Sequence, residues 1–163
     1  MEAVVYIALL AVVSVFVTNF LIQIVETYQR ARAEREVIAN GRLLLETVVR
    51  AAAESTAVYG PTSKFQHDAG QLSLITTQGA TAEHTTAYHD FYVDNNRLWS
   101  RKEGETAFPI SSSSVRITKF YLERMMQGLG RESVKMTLRV ESNQGKYASF
   151  IELNSTVALR GNY

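Results

Sequence analysis

The chain contains no cysteine, only two prolines (Pro61 and Pro109) and a single tryptophan, Trp99, in 163 residues. Without cysteine there are no disulfide staples and no Cys-based metal or redox sites, and the compartment is left open. An excess of charge of one sign is missing too: 17 Lys and Arg stand against 16 Asp and Glu, for a net charge of +1, and they are dispersed rather than blocked. That balance excludes a dedicated nucleic-acid binder and a polybasic membrane-surface protein.

Catalytic vocabulary is equally thin. Of the three histidines, His67 and His84 fall in expected loops and His89 in an expected strand beside Asp90, with no spacing that matches a zinc site. Asp94, Asn95 and Asn96 could offer oxygens to Ca²⁺, but the full ligand spacing is missing and a turn explains all three. The serine run 111–114 has no recognisable base partner, and neither a phosphate-binding Gly loop nor a carboxylate pair is present. Neither an enzyme, a metal site nor a bound cofactor is expected.

What the sequence does have is one long hydrophobic run. Residues 3–25, AVVYIALLAVVSVFVTNFLIQIV, carry no charge, Pro or Gly and are bracketed by Glu2 and Glu26. At ~1.5 Å per residue this helix covers the hydrocarbon core of a bilayer, about 30 Å. Its polar members, Ser14, Thr18, Asn19 and Gln23, can bond to their own helix or to a neighbouring one. Glu2 would place a carboxylate at the membrane edge, where it calls for a cationic partner.

No helix breaker follows. Residues 27–56 continue in Ala, Arg, Glu, Leu and Val, interrupted only by Gly41, so the helix leaves the membrane and runs on. At 100° per residue Val37, Ile38, Leu44, Leu45, Val48, Val49 and Ala52 share one face, and Arg35, Arg42, Glu46 and Arg50 the other. The spacing predicts a rod on the order of 80 Å long over residues 3–56. Gly41 lies within the apolar stripe, where it marks either a close backbone approach or a flexible point.

Beyond the turn cluster 59–63 (YGPTS) the period becomes two. Strands are expected at 71–77, 87–93 and 97–101, the last two joined by a turn at Asp94, Asn95 and Asn96. Residues 106–110 contain Pro109 and read as an edge strand or irregular segment, and 115–122 as a strand with a bulge between Ile117 and Phe120. Two strands around 134–141 and 147–159 form a half-buried antiparallel hairpin across a turn at Asn143, Gln144 and Gly145. One apolar helix stripe and one apolar sheet face cover each other. The expected fold is α+β: a transmembrane helix over 1–25, its amphipathic continuation over 26–56, and an antiparallel β domain over 57–163.

A glutamate heading a long uncharged run, Glu2 followed by AVVYIALLAVVSVF, then an unbroken amphipathic half and a small β domain, resembles the type IV pilin superfamily. The strand YHDFYVDNNRLWSR, the segment TAFPI and the closing strand pair look like the globular part of minor type II secretion pseudopilins and related minor pilins. The missing cysteines leave no C-terminal disulfide loop, which points to a minor subunit. In that family a basic leader ending in Gly precedes a segment of the type Phe-Thr-Leu-x before the glutamate, whereas here Met1 directly precedes Glu2. A start read within the motif, or a trimmed chain, accounts for the difference.

The resemblance implies a structural subunit of a type IV pilus or type II secretion pseudopilus. Glu2 would dock against the N-terminal ammonium of a neighbouring subunit, and Ala3, Val4, Val5, Ile7, Leu9, Leu10, Val13, Phe16 and Phe20 would belong to the helix that first sits in the membrane and then forms the filament core. The implied partners are other pilin or pseudopilin subunits, the leader peptidase and N-methylase that process and methylate the N-terminus, and an inner-membrane assembly platform. Arg30, Arg32 and Arg35 follow the apolar run, and positive charge alone would place the β domain in the cytoplasm. The resemblance implies the opposite orientation, a single-pass membrane protein with its C-terminal domain outside the cytoplasm and later in a filament at the cell surface or in the periplasm. The competing reading is a signal-anchored extracytoplasmic sensor or ligand-binding domain. Such a sensor needs an output segment ahead of its anchor, and only Met1 precedes Glu2.

Overall fold

The computed structural model describes residues 2–77, 86–127, 131–143 and 148–161. A 53-residue helix, α1, spans Glu2–Glu54 and is followed by eight strands. These are β1 (Ala57–Val58), β2 (Gln71–Thr76), β3 (Ala87–Asp94), β4 (Arg97–Lys102), β5 (Phe108–Pro109), β6 (Val115–Gln127), β7 (Arg131–Ser142) and β8 (Phe150–Ala158). All strand pairs are antiparallel, so the class is α+β as the periodicity predicts.

The strands divide into two sheets rather than one: β1-β2-β3-β4-β5 and β6-β7-β8. The helix stripe that packs on them is Ala33, Val37, Gly41, Leu44, Val48 and Ala52, all buried. Of the side chains expected on this face, Ile38 lies outside the contact at 38% exposure, while Leu45 and Val49 flank the core half-buried. The stripe lies mainly across β7 and β8, whose inward residues Val134, Met136, Leu138, Val140 and Val157 close the core from the other side.

Gly41 is a close approach. A Cβ there would meet Ile151 Cγ2 and Leu153 Cδ1, each at 3.2 Å, so the absent side chain lets the helix axis sit down on β8. The helix ends where both sheets meet it. The Ser55 hydroxyl donates to the Ala51 carbonyl (2.6 Å), the Arg160 N–H donates to the Ser55 carbonyl (3.0 Å), and the Thr56 N–H donates to the Ile75 carbonyl (2.8 Å). Glu132 of β7 accepts from the Val58 N–H (3.1 Å) and pairs with Arg124. The Ser55 hydroxyl thereby satisfies one of the carbonyls that a helix C-terminus leaves open, and the other bonds fix the chain that follows it.

Turn chemistry sets the rest. Asn95 and Asn96 have φ of 50° and 58°, the left-handed pair of a two-residue hairpin, and join β3 to β4 as expected. Register slips between Ile117 and Lys119, the expected bulge. Pro109 lies in a two-residue edge strand paired only to β4. Strand β6 runs past the expected end at 122 to Gln127, because its partner β7 begins at Arg131 and the pair forms one long ribbon. The loop residue His84 and the expected turn residues Gln144 and Gly145 lie outside the described residues.

The segment between β1 and β2 covers the outer edge of β6. The Gln66 N–H donates to the Leu122 carbonyl (2.9 Å), the Gly70 N–H to the Phe120 carbonyl (2.9 Å), and the Phe120 N–H to the Asp68 carbonyl (2.7 Å). A Cβ at Gly70 would fall on the Phe120 carbonyl oxygen, so only glycine permits this crossing.

Candidate functional site: the uncovered half of the helix

The β domain covers α1 only from Ala33 onward. Below that level the helix stands free, and Val4, Val5, Ile7, Leu9, Leu10, Val13, Phe16 and Phe20 are between 51% and 70% exposed. Ala3 is exposed as well. Burial of a Val, Leu, Ile or Phe side chain is worth ~1.5–3 kcal/mol, so this run withholds tens of kcal/mol until something apolar surrounds it. Exposed apolar area on this scale marks a membrane or interaction surface. By length and composition α1 can cross a membrane once.

The sequence-predicted site residues are therefore together on one element, and none of them touches the β domain. Glu2 occupies the first turn, where a carboxylate complements the positive end of the helix dipole. The polar members of the run fall into two groups. The Ser14 hydroxyl donates to the Leu10 carbonyl and the Thr18 hydroxyl to the Ser14 carbonyl, both at 2.8 Å, so each is satisfied within the helix. Among the described residues the side-chain amides of Asn19 and Gln23 make no hydrogen bond.

A second feature escapes a sequence reading. A cleft of about 490 Å³ opens between the free flank of α1 (Leu43, Glu46, Thr47, Arg50) and the sheet residues Tyr88, His89 and Lys102. Burial of the His89 ring lowers its pKa from the ordinary 6.5, and the Lys102 charge lowers it further, against the opposing charges of Asp90 and Glu105. The imidazole Nε2 lies 2.8 Å from Ser100 Oγ, and the ring stacks obliquely on Phe91 at 4.3 Å between centroids. That is the environment of a packed, neutral histidine. Among the described residues no group of three or more His, Cys, Asp or Glu is placed to hold a metal ion. Asp94 and Asn95 bond to one another within the hairpin turn, Asn95 Nδ2 donating to Asp94 Oδ2 at 3.1 Å.

No family model, no curated protein and no solved structure matches the chain. The arrangement itself, a long N-terminal helix packed on antiparallel sheets with its apolar half projecting free, is compatible with a pilin-like shape.

Proposed function

We propose that the chain is a structural subunit of a type IV pilin-like assembly, a minor pilin or a minor pseudopilin of a type II secretion system. The observation that carries this reading is a single unbroken helix of 53 residues, apolar and uncovered at one end and built into the β domain at the other. A hinged anchor would need only the first half. A continuous rod transmits position from the membrane to the domain, and can pass from a lipid bilayer to a bundle of like helices without refolding, because both surroundings satisfy the same apolar surface.

In this reading the helix holds the chain in the membrane as a single-pass protein, with the β domain outside the cytoplasm. Extraction by an assembly platform then moves the apolar half into the filament core and leaves the domain facing outward. Glu2 docks against the N-terminal ammonium of a neighbouring subunit. Two opposite charges in an apolar bundle attract strongly, while one left alone is costly, so the pair also selects register. The leader peptidase and N-methylase act on the chain, which has no catalytic role of its own.

The test is mass spectrometry of the mature N-terminus, made from the full gene in the native cell with and without the leader peptidase. A methylated N-terminus a few residues ahead of Glu2, lost in the knockout, is the expected result. An unprocessed terminus identical in both strains would transfer the chain to the anchored-sensor class.

A further inference from the structure

We infer that the open edge of β8, with the flank of α1 beside it, is a docking site for an extended segment of a different protein, added to the sheet as a further strand. The segment carries apolar side chains on the face turned to α1 and a lysine or arginine on the other face, opposite Glu152. The inference goes beyond the proposed function and does not depend on it, because it concerns what the β domain binds and not what surrounds the apolar half of the helix.

A strand edge exposes unpaired N–H and C=O groups, and folded chains close such edges off. Among the described residues this chain does so at three of the four edges of its two sheets. β1 and β5 are two residues long, and β5 contains Pro109. The edge of β6 is bonded by the Asn96 carbonyl, which accepts from the Ile117 N–H (2.8 Å), and by Gln66, Asp68 and Gly70. Where β6 runs on past this cover it carries Glu123 and Arg124. β8 is the exception: nine residues, Phe150–Ala158, with no Pro or Gly and a single charge, Glu152.

Register shows which groups of β8 are open. The Leu159 N–H donates to the Glu132 carbonyl (2.9 Å) and the Ser142 N–H to the Ser149 carbonyl (2.8 Å), so the odd-numbered residues turn their backbone groups to β7. Those of Phe150, Glu152, Asn154 and Thr156 point away from β7, and among the described residues nothing bonds to them. Water satisfies such a row, so the row alone names no partner.

The helix beside it does. At 100° per residue Ile38, Leu45 and Val49 stand on one flank of the buried stripe, and Leu43 and Thr47 on the other, which faces β3. Gly41 lies against β8, and the order β6-β7-β8 places the open edge on the flank of Ile38. Ile38 is 38% exposed, and Leu45 and Val49 are half-buried. The apolar face of α1 is thus wider than the sheet that covers it, and the surplus falls beside the open edge. Residues 38–49 span on the order of 16 Å, the length of about five strand residues. A strand added to β8 sets every second side chain on this strip while its backbone meets the open row, which a helix or a single apolar side chain cannot do.

The opposite face adds a charge. Glu152 lies across from Arg139, whose Nε donates to Glu141 Oε1 (3.1 Å) and whose guanidinium stacks 4.3 Å from the centre of the Phe150 ring. Among the described residues Glu152 has no ion pair of its own. A basic side chain opposite it on the incoming strand supplies one. A second β8 does not fit the site: it carries no basic residue, and antiparallel pairing of two copies turns their helices end for end, with the apolar halves projecting in opposite directions.

The test uses the full chain in a non-ionic detergent and labelled peptides of alternating Val and Thr, with a central Thr replaced by Lys or by Glu. Fluorescence anisotropy is expected to show saturable binding with the Lys peptide preferred roughly fivefold, and Glu152→Lys is expected to reverse that preference. Thr156→Pro removes an outward N–H and no bond to β7, and it is expected to weaken both peptides roughly tenfold at unchanged Trp99 emission, as is Ile38→Asn. The Lys peptide methylated on the backbone nitrogens that face β8 is expected not to bind. An unreversed preference in Glu152→Lys, equal binding of the methylated peptide, or no saturable binding of either peptide would overturn the inference. So would dimerisation of the chain that Thr156→Pro abolishes, which would give the edge to a second copy. None of these readouts depends on filament assembly.

Discussion

At Gly41 and His89 local chemistry is coupled to the stability of the whole. At Gly41 an added Cβ lies 3.2 Å from both Ile151 and Leu153, so a branched side chain has to push β8 off the helix. Gly41→Val is expected to cost about 1–3 kcal/mol by overpacking, although it replaces the poorest helix former but proline. Urea unfolding of the full chain in detergent, followed by Trp99 fluorescence, measures this as a lower midpoint. Position 41 stands inside the apolar stripe in the sequence, but nothing in the sequence chooses between a close approach and a flexible point. The choice depends on β8, more than a hundred residues further along the chain.

His89 sets a pH dependence whose sign follows from burial. Its folded-state pKa lies below the ordinary 6.5, so the unfolded chain binds the proton more readily than the folded one. The stability this contributes is complete above pH 6.5, falls as the pH drops below 6.5, and levels off once the folded form is protonated as well. Glu141 acts in a lower window. Burial pushes its carboxyl up, but hydrogen bonds from Arg116 and Thr118 and the charges of Arg116 and Arg139 outweigh that and hold it below the ordinary 4.5. The urea midpoint is therefore expected to fall between pH 7.5 and 5.5 in the wild type, and to fall less in His89→Gln. Equal slopes for both proteins would show that His89 is solvated in the folded state.

Among the elements, α1 was the most legible, because composition and period alone separate its two halves. The uncharged run, the amphipathic continuation and the stripe positions Val37, Leu44, Val48 and Ala52 all follow from spacing. The two-asparagine hairpin and the bulge at Ile117 were legible for the same reason: each is written in a few adjacent residues. The division into two sheets was not. It is a matter of which strand edges pair, and the backbone bonds that Gln66, Asp68 and Gly70 make along the edge of β6 leave no side-chain pattern to read either. The unbonded amides of Asn19 and Gln23 were visible as residues, but only helix geometry separates them from the self-satisfied Ser14 and Thr18.

The element-level test concerns the free half of α1. Val13 is 51% exposed near the middle of the apolar run. An arginine at the centre of a spanning helix costs roughly 2.5–3.5 kcal/mol on insertion scales. Val13→Arg is expected to move a substantial fraction of the chain from the alkali-resistant membrane pellet to the supernatant, whereas Arg42→Ala on the exposed face of the covered half is not. Unchanged pelleting of Val13→Arg would mean that the run does not enter the bilayer.

At the scale of the whole molecule, the helix and the β domain form one lever. The same stripe that fixes the domain on α1 begins only at Ala33, which leaves the apolar half uncovered for a second environment. Under the proposed function the apolar half transfers between two apolar surroundings, bilayer and bundle, and Glu2 is the charge that distinguishes them.

The most direct test of that account is the distribution of the chain in native cells between the membrane and the sheared extracellular or periplasmic filament fraction, compared for wild type and Glu2→Ala. The account predicts wild-type chain in both fractions, and Glu2→Ala retained in the membrane at normal levels but absent from filaments. Wild-type chain confined to the membrane under conditions where the filaments assemble, with Glu2→Ala indistinguishable from it, would contradict the account.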